Sequence, residues 1–264
     1  MIFKTLLIFL SIFIIGCSTS QPIIVISFDT EYPYGVGFPD NFNQDQITEF
    51  TPSEEAWIST LNRINNIGIK HNVKFQFNVV GKTAEDHQDL IKNISENHNI
   101  SCHSYSHLKQ GDLSYKKKES ELRLCKSRLE PIIGREIKGN RFPYTNYTDD
   151  SFKLLKSLEY EWDSSIWQDK SLLFPSVYKS VREYPLAPIT TDWEYFINET
   201  KTDSKEFFNL FENDIKTLKN GQIYIIVLHP WIITEEATLD ELDNFVARHK
   251  SSIKSIDEIY QKAE

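Results

Sequence analysis

The sequence is short of cysteine, methionine and positive charge. Of 264 residues only 3 are cysteine and 1 is methionine, and 29 Lys and Arg stand against 38 Asp and Glu. Three cysteines cannot frame a disulfide-stapled small domain, so folding has to rest on an apolar core. A net charge of −9 argues against nucleic acid as a partner, since that calls for a basic face. The 9 glycines and 10 prolines gather into no linker, and after residue 22 there is no repeat or low-complexity tract. What is present is ordinary globular composition, 40% hydrophobic and 25% charged with 13% aromatic, long enough for one large domain or two small ones.

The N-terminus is a different material. Lys4 precedes an almost wholly apolar run over 5–15, which Gly16 and Cys17 close. The run is shorter than the roughly 20 residues a membrane-spanning helix needs, and it fits the apolar part of a secretory signal. Ile14-Ile15-Gly16-Cys17 resembles a bacterial lipobox, which implies lipid on Cys17. A plain signal peptide cut elsewhere and an uncleaved anchor are the alternatives. The lipobox reading divides the chain into a signal peptide at 1–16, a short tether at 17–22 and one folded domain at 23–264. Its tether reaches roughly 20 Å at full extension, which would hold the domain near its membrane in the cell envelope, facing periplasm or exterior. Ser18 after the cysteine points to the outer membrane where the host has one. Cys102 and Cys125 remain, and they fit a bridge or two buried thiols equally.

From residue 23 onward, short apolar runs alternate with helical patterns. Strands are predicted at 23–28, 73–79, 100–102, 137–139, 160–162 and 223–228, with a short one at Ile253. Helices are predicted at 54–70, 84–96, 115–132, 149–158, 204–218, 239–247 and 256–261. Thr51-Pro52-Ser53-Glu54 reads as a helix start, and Gly134 as a helix stop. Such alternation predicts a parallel α/β fold, most simply a barrel, whose catalytic groups gather at the C-terminal ends of strands.

Those ends carry chemistry. Asp29 and Glu31 follow the first strand, His103 and His107 the third, Arg141 the fourth, Asp163 the fifth and His229 the last. One carboxylate and two neutral imidazoles can hold a divalent cation with positions open for water and substrate. His103 and His107 are the natural imidazole pair. A second carboxylate would act as general base, and His229, on a separate strand end, as general acid. Arg141 would keep the base ionised and Asp163 would steady Arg141.

In order and spacing, SFDTE, HSYSH, RFPY, WDSS and VLHP resemble the five motifs of the polysaccharide deacetylase family, the carbohydrate esterases with a NodB homology domain. The resemblance spans about 23–262. It implies a distorted (β/α)7 barrel in a single domain. It also implies hydrolysis of N-acetyl groups on amino sugars of a polysaccharide, with a divalent metal, zinc or another such as cobalt or nickel. The Tyr144 backbone N–H would stabilise the oxyanion, and Leu228 would line the pocket for the acetyl methyl. Two departures stand out. Thr30 occupies the place where most members carry a second aspartate, so the chain fits a branch with carboxylates at i and i+2, with Asp29 as base and Glu31 as metal ligand. Trp162 precedes Asp163, whereas the family's fourth motif has the tryptophan following.

Three rivals share the residue inventory. A non-haem iron oxygenase also uses two histidines and a carboxylate, but on an all-β double sheet. A carbohydrate-binding relative could keep the fold without activity, and the same chemistry could act on a non-sugar amide. The long aromatic insertion at 32–50 and the aromatics Trp167, Phe174, Tyr178, Trp193 and Tyr195 favour a glycan, if they face the site rather than pack on themselves.

Overall fold

The computed structural model describes residues 21–188 and 191–263. The predicted signal peptide, Cys17 and most of the tether lie outside the described residues. Eight strands form one sheet: β1 (Ile23–Thr30), β2 (Gln76–Val79), β3 (Asn99–Cys102), β4 (Gly139–Asn140), β5 (Trp162–Asp163), β6 (Ser176–Tyr178), β7 (Val181–Glu183) and β8 (Ile223–Leu228). Their order is β6-β7-β5-β4-β3-β2-β1-β8. Every pairing is parallel except β6 with β7, so seven parallel strands carry one antiparallel edge strand. The sheet curls until its far ends approach, and the Ile223 N–H at the start of β8 donates to the Leu173 carbonyl just before β6. This is the parallel α/β barrel that the alternation predicts, in the distorted form that the family resemblance implies, and not a double β-sheet.

Nine helices among the described residues flank the sheet: α1 (Gln44–Phe50), α2 (Glu54–His71), α3 (Gly81–Asp86), α4 (Gln88–Asn97), α5 (Tyr115–Ile133), α6 (Asp149–Ser157), α7 (Ser204–Ile215), α8 (Glu236–His249) and α9 (Ile256–Ala263). The single helix predicted at 84–96 is two, broken at His87. The strand predicted at Ile253 is one bridge to Ile24, on the edge that β1 exposes before β2 begins.

Side-chain alternation along the strands sorts the core into two layers. Ile24, Ile26 and Phe28 of β1, with Tyr224, Ile226 and Leu228 of β8, face the helices. Val25 of β1, with Ile223, Ile225 and Val227 of β8, faces the barrel interior. Both faces are buried, which is why these strands read as unbroken apolar runs. The interior row of β1 continues through Ser27 to Asp29, so its carboxylate emerges inside the barrel mouth. At the other end α9 closes the barrel, and the Trp162 indole N–H donates to Asp257 at 2.8 Å. Cys102 and Cys125 are joined, tying the end of β3 to α5 on the helix side. No helix among the described residues is long and apolar enough to cross a membrane.

Candidate active site

Asp29 ends the interior row of β1, with its side chain buried. Its Oδ1 accepts from Asn78 Nδ2 at 2.5 Å, across the β1–β2 register. Its Oδ2 lies 3.6 Å from Arg141 Nη1 and 3.9 Å from His103 Nε2. Burial raises the Asp29 pKa, but Arg141, His103 and His229 outweigh it and hold the carboxyl below its ordinary value. Thr30 is buried on the other side of the strand, its hydroxyl donating to the Phe28 carbonyl.

Glu31 stands two residues on and turns to a different set of partners. Its Oε2 lies 2.7 Å from His107 Nε2 and 3.4 Å from His103 Nε2. Its Oε1 accepts from the Trp231 indole N–H at 3.0 Å. Burial opposes ionisation here as well, yet His107, His229 and His103 keep the pKa well below the usual carboxylate range. Gly35 packs directly on this side chain: a Cβ there would lie 2.4 Å from the Glu31 carboxyl carbon.

The two imidazoles come from the loop after β3. His103 Nδ1 lies 2.8 Å from the Arg141 carbonyl, so it carries the proton and leaves Nε2 as a lone pair facing Glu31. The loop is wound tightly, with Ser104 and His107 at φ of 58° and 59°. Ser104 Oγ accepts the His107 N–H, and buried Glu121 of α5 accepts both the N–H and the hydroxyl of Ser106. Left-handed backbone at two non-glycine residues is strain that these bonds hold in place.

Glu31, His103 and His107 bring one ligand atom each within 4.8 Å of one another, all buried. His107 Nδ1 is buried without a hydrogen-bond partner among the described residues, and its Nε2 faces the Glu31 carboxylate at 2.7 Å. Two buried imidazoles converging on one carboxylate, with the tautomer of His103 already fixed, fit a divalent cation such as zinc.

His229, just past β8, is held through its ring Nδ1 by Asp192 Oδ1 at 2.7 Å, and its backbone N–H donates to the same carboxylate. Burial by itself would lower the His229 pKa, but Asp192, then Glu31 and Asp29, raise it to about 10. Its Nε2 lies 4.0 Å from Glu31 Oε1. Asp192, fully buried, was not among the residues the sequence singles out. It lies in a stretch without periodicity, but the signal was there: Asp192-Trp193 has the aspartate–tryptophan order that WDSS lacks.

Two expected placements are corrected. Asp163 makes no ion pair with Arg141 among the described residues; Ser164 Oγ accepts from Arg141 Nη2 at 3.0 Å instead. The register explains this, because Asp163 pairs with Asn140 and Glu183 and therefore points to the helix side, while Arg141 points inward. There Asp163 accepts from Asn140 Nδ2 at 2.7 Å, and burial lifts its pKa to about 6. Burial and the charge of Asp163 push Glu183 well up too. Leu228 likewise faces the helices, and Val227 takes the place at the cavity wall.

The remaining candidates meet around one cavity of about 560 Å³, lined by Asp29, Glu31, His103, His107, Arg141 and His229. Tyr144 also lines it, at φ 56°, with its ring 4.7 Å from that of His107. Of the aromatics the sequence offers for glycan contact, Trp167 and Trp193 reach the cavity. Tyr195 is buried in the core, while Phe174 and Tyr178 lie away from the cavity wall.

The family model described as polysaccharide deacetylase matches residues 18–162, more than half of the chain. No curated protein sequence matches it. Among solved structures, a Mycobacterium smegmatis protein provisionally named a polysaccharide deacetylase superposes with a TM-score of 0.76 at 18% identity, over 93% of this chain and 91% of that one. A mutant of the peptidoglycan deacetylase PdaC from Bacillus subtilis gives 0.58 at 16%, over 92% of both. A carbohydrate esterase family 4 pseudoenzyme from Bacillus anthracis gives 0.57 at 16%, over 90% of this chain and 65% of that one.

Proposed function

The chain belongs to the polysaccharide deacetylase family, and from that premise we propose that it removes N-acetyl groups from amino sugars of a cell-envelope or extracellular polysaccharide. The observation that carries the proposal is the meeting of a complete acid, base and cation-ligand set at the mouth of one barrel. Glu31, His103 and His107 would hold the divalent cation. When bound, that cation polarises the amide carbonyl and acidifies the attacking water.

The chain's own groups do the proton work. Asp29, fixed by Asn78 and kept ionised beside Arg141, takes the proton of the attacking water. The Tyr144 backbone N–H supports the negative oxygen that develops at the carbonyl. His229, protonated and aimed by Asp192, delivers a proton to the leaving nitrogen as the C–N bond breaks. Acetate and a free amine result. Retention of this whole set distinguishes the reading from a binding-only relative, because fold alone does not establish activity.

Acetate release from a panel of N-acetylated glycans and of simple N-acetyl amides tests it. Release from glycans supports the proposal; release from the small amides alone would move the substrate to a non-sugar amide. Binding without any release would make the protein a carbohydrate-binding relative. We further propose that lipid on Cys17 tethers the domain to a membrane. Fractionation of cells tests this, with native protein expected in the membrane and Cys17→Ser in the soluble fraction. Equal partitioning of both would count against a lipid anchor.

A further inference from the structure

We propose that Trp167 is a stacking platform for the sugar next to the one being deacetylated, so that the protein reads its substrate as an oligosaccharide. The inference rests on the glycan reading above and deepens it. Trp167 lines the catalytic cavity and is 42% exposed. Its indole N–H is already engaged, donating to Thr145 Oγ1 at 2.8 Å. Its backbone is pinned as well: Gln168 N–H donates to the Leu186 carbonyl at 2.9 Å, and Leu186 N–H to the Ile166 carbonyl at 2.8 Å. Edge and backbone are thus both fixed while the ring stays open.

The other aromatics at the cavity are occupied differently. Tyr144 packs its ring against His107. Trp231 gives its N–H to Glu31 and sits edge-on to Phe38, with centroids 5.7 Å apart. Trp193, whose N–H donates to the Gly37 carbonyl at 3.0 Å, is packed against the hydrophobic core, whereas Trp167 is not. Among the described residues no aromatic ring packs on Trp167. A partly exposed indole on which no aromatic ring packs, and whose donor is satisfied, has no hydrogen bond to offer a ligand; it offers an apolar plane, which suits the C–H face of a pyranose. Its tie to Thr145, next to Tyr144, places that plane beside the reacting group and not on it.

The test uses full-length protein loaded with zinc, acting on methyl N-acetyl-β-glucosaminide and on the β-1,4-linked N-acetylglucosamine tetramer. Trp167→Ala is expected to lower kcat/KM for the tetramer about tenfold, through KM, the effect of losing about 1.4 kcal/mol of binding. Turnover of the one-sugar probe should fall by much less, so that the preference for the tetramer shrinks. Trp167→Phe, which keeps a ring, should retain most of the tetramer preference, and calorimetric titration of the tetramer should rank the three proteins the same way without turnover. Equal losses on both probes, or a Phe variant as poor as the Ala variant, would overturn the inference while leaving deacetylation intact. Acetate from neither probe with native protein would instead overturn the deacetylase reading, and the calorimetric ranking would then decide the platform by itself.

Discussion

Asp29 and Glu31 are two carboxylates on one face of one strand end, yet their surroundings make them different groups. Asp29 is locked between Asn78 and Arg141, whereas Glu31, one methylene longer, reaches the imidazoles and gives its other oxygen to Trp231. That second contact leaves a single oxygen toward His103 and His107. Trp231→Phe keeps the ring against Phe38 but deletes the donor. It should weaken zinc affinity about 10- to 100-fold, as measured by competition with a chromophoric chelator. An unchanged affinity would show that the indole only fills space. Asp192 acts in the same way on His229. Activity that needs protonated His229 is lost as pH rises through its pKa, so the alkaline limb of kcat/KM against pH lies high in the native protein. Asp192→Asn should lower that pKa, move the limb to lower pH and reduce kcat about 10²-fold. A limb that stays in place would mean His229 is not the acid. The sequence exposes Asp29, Glu31, His103, His107 and His229 because each follows a readable strand, and Arg141 because RFPY resembles a family motif. Asp192 follows none, and only its dipeptide marks it.

The elements were legible in proportion to their length. β1 and β8, eight and six residues long and buried on both faces except at Ile23, announce themselves as apolar runs. β4 and β5 contain two residues each, too few to show a period, and the β6–β7 hairpin and α1 sit in stretches read only as irregular or aromatic. The misplacement of Asp163 and Leu228 has one cause. In a strand a shift of one residue reverses the face, so a motif matched by neighbourhood assigns the right segment and the wrong side chain. Gly139 shows how tightly β4 and β5 pack. A Cβ there would meet the Trp162 ring at 1.9 Å, with the indole held at its far end by Asp257. Gly139→Ala should therefore destabilise the fold by about 1–3 kcal/mol, read from the denaturant midpoint. A midpoint within error of native would mean that β5 moves freely.

At the scale of the whole molecule, a barrel plugged by α9 leaves one working end, where the base, the acid and the candidate cation ligands gather. The bottom of the barrel is apolar and closed around Trp162, Tyr184 and Ile256. The most direct test of this account is the division of labour at the mouth, measured as zinc bound per chain together with acetate released, for Asp29→Asn and Glu31→Gln. The account predicts that Asp29→Asn binds one zinc and releases almost no acetate, whereas Glu31→Gln loses both. Zinc retained by Glu31→Gln and lost by Asp29→Asn would contradict it, and would reverse the two roles.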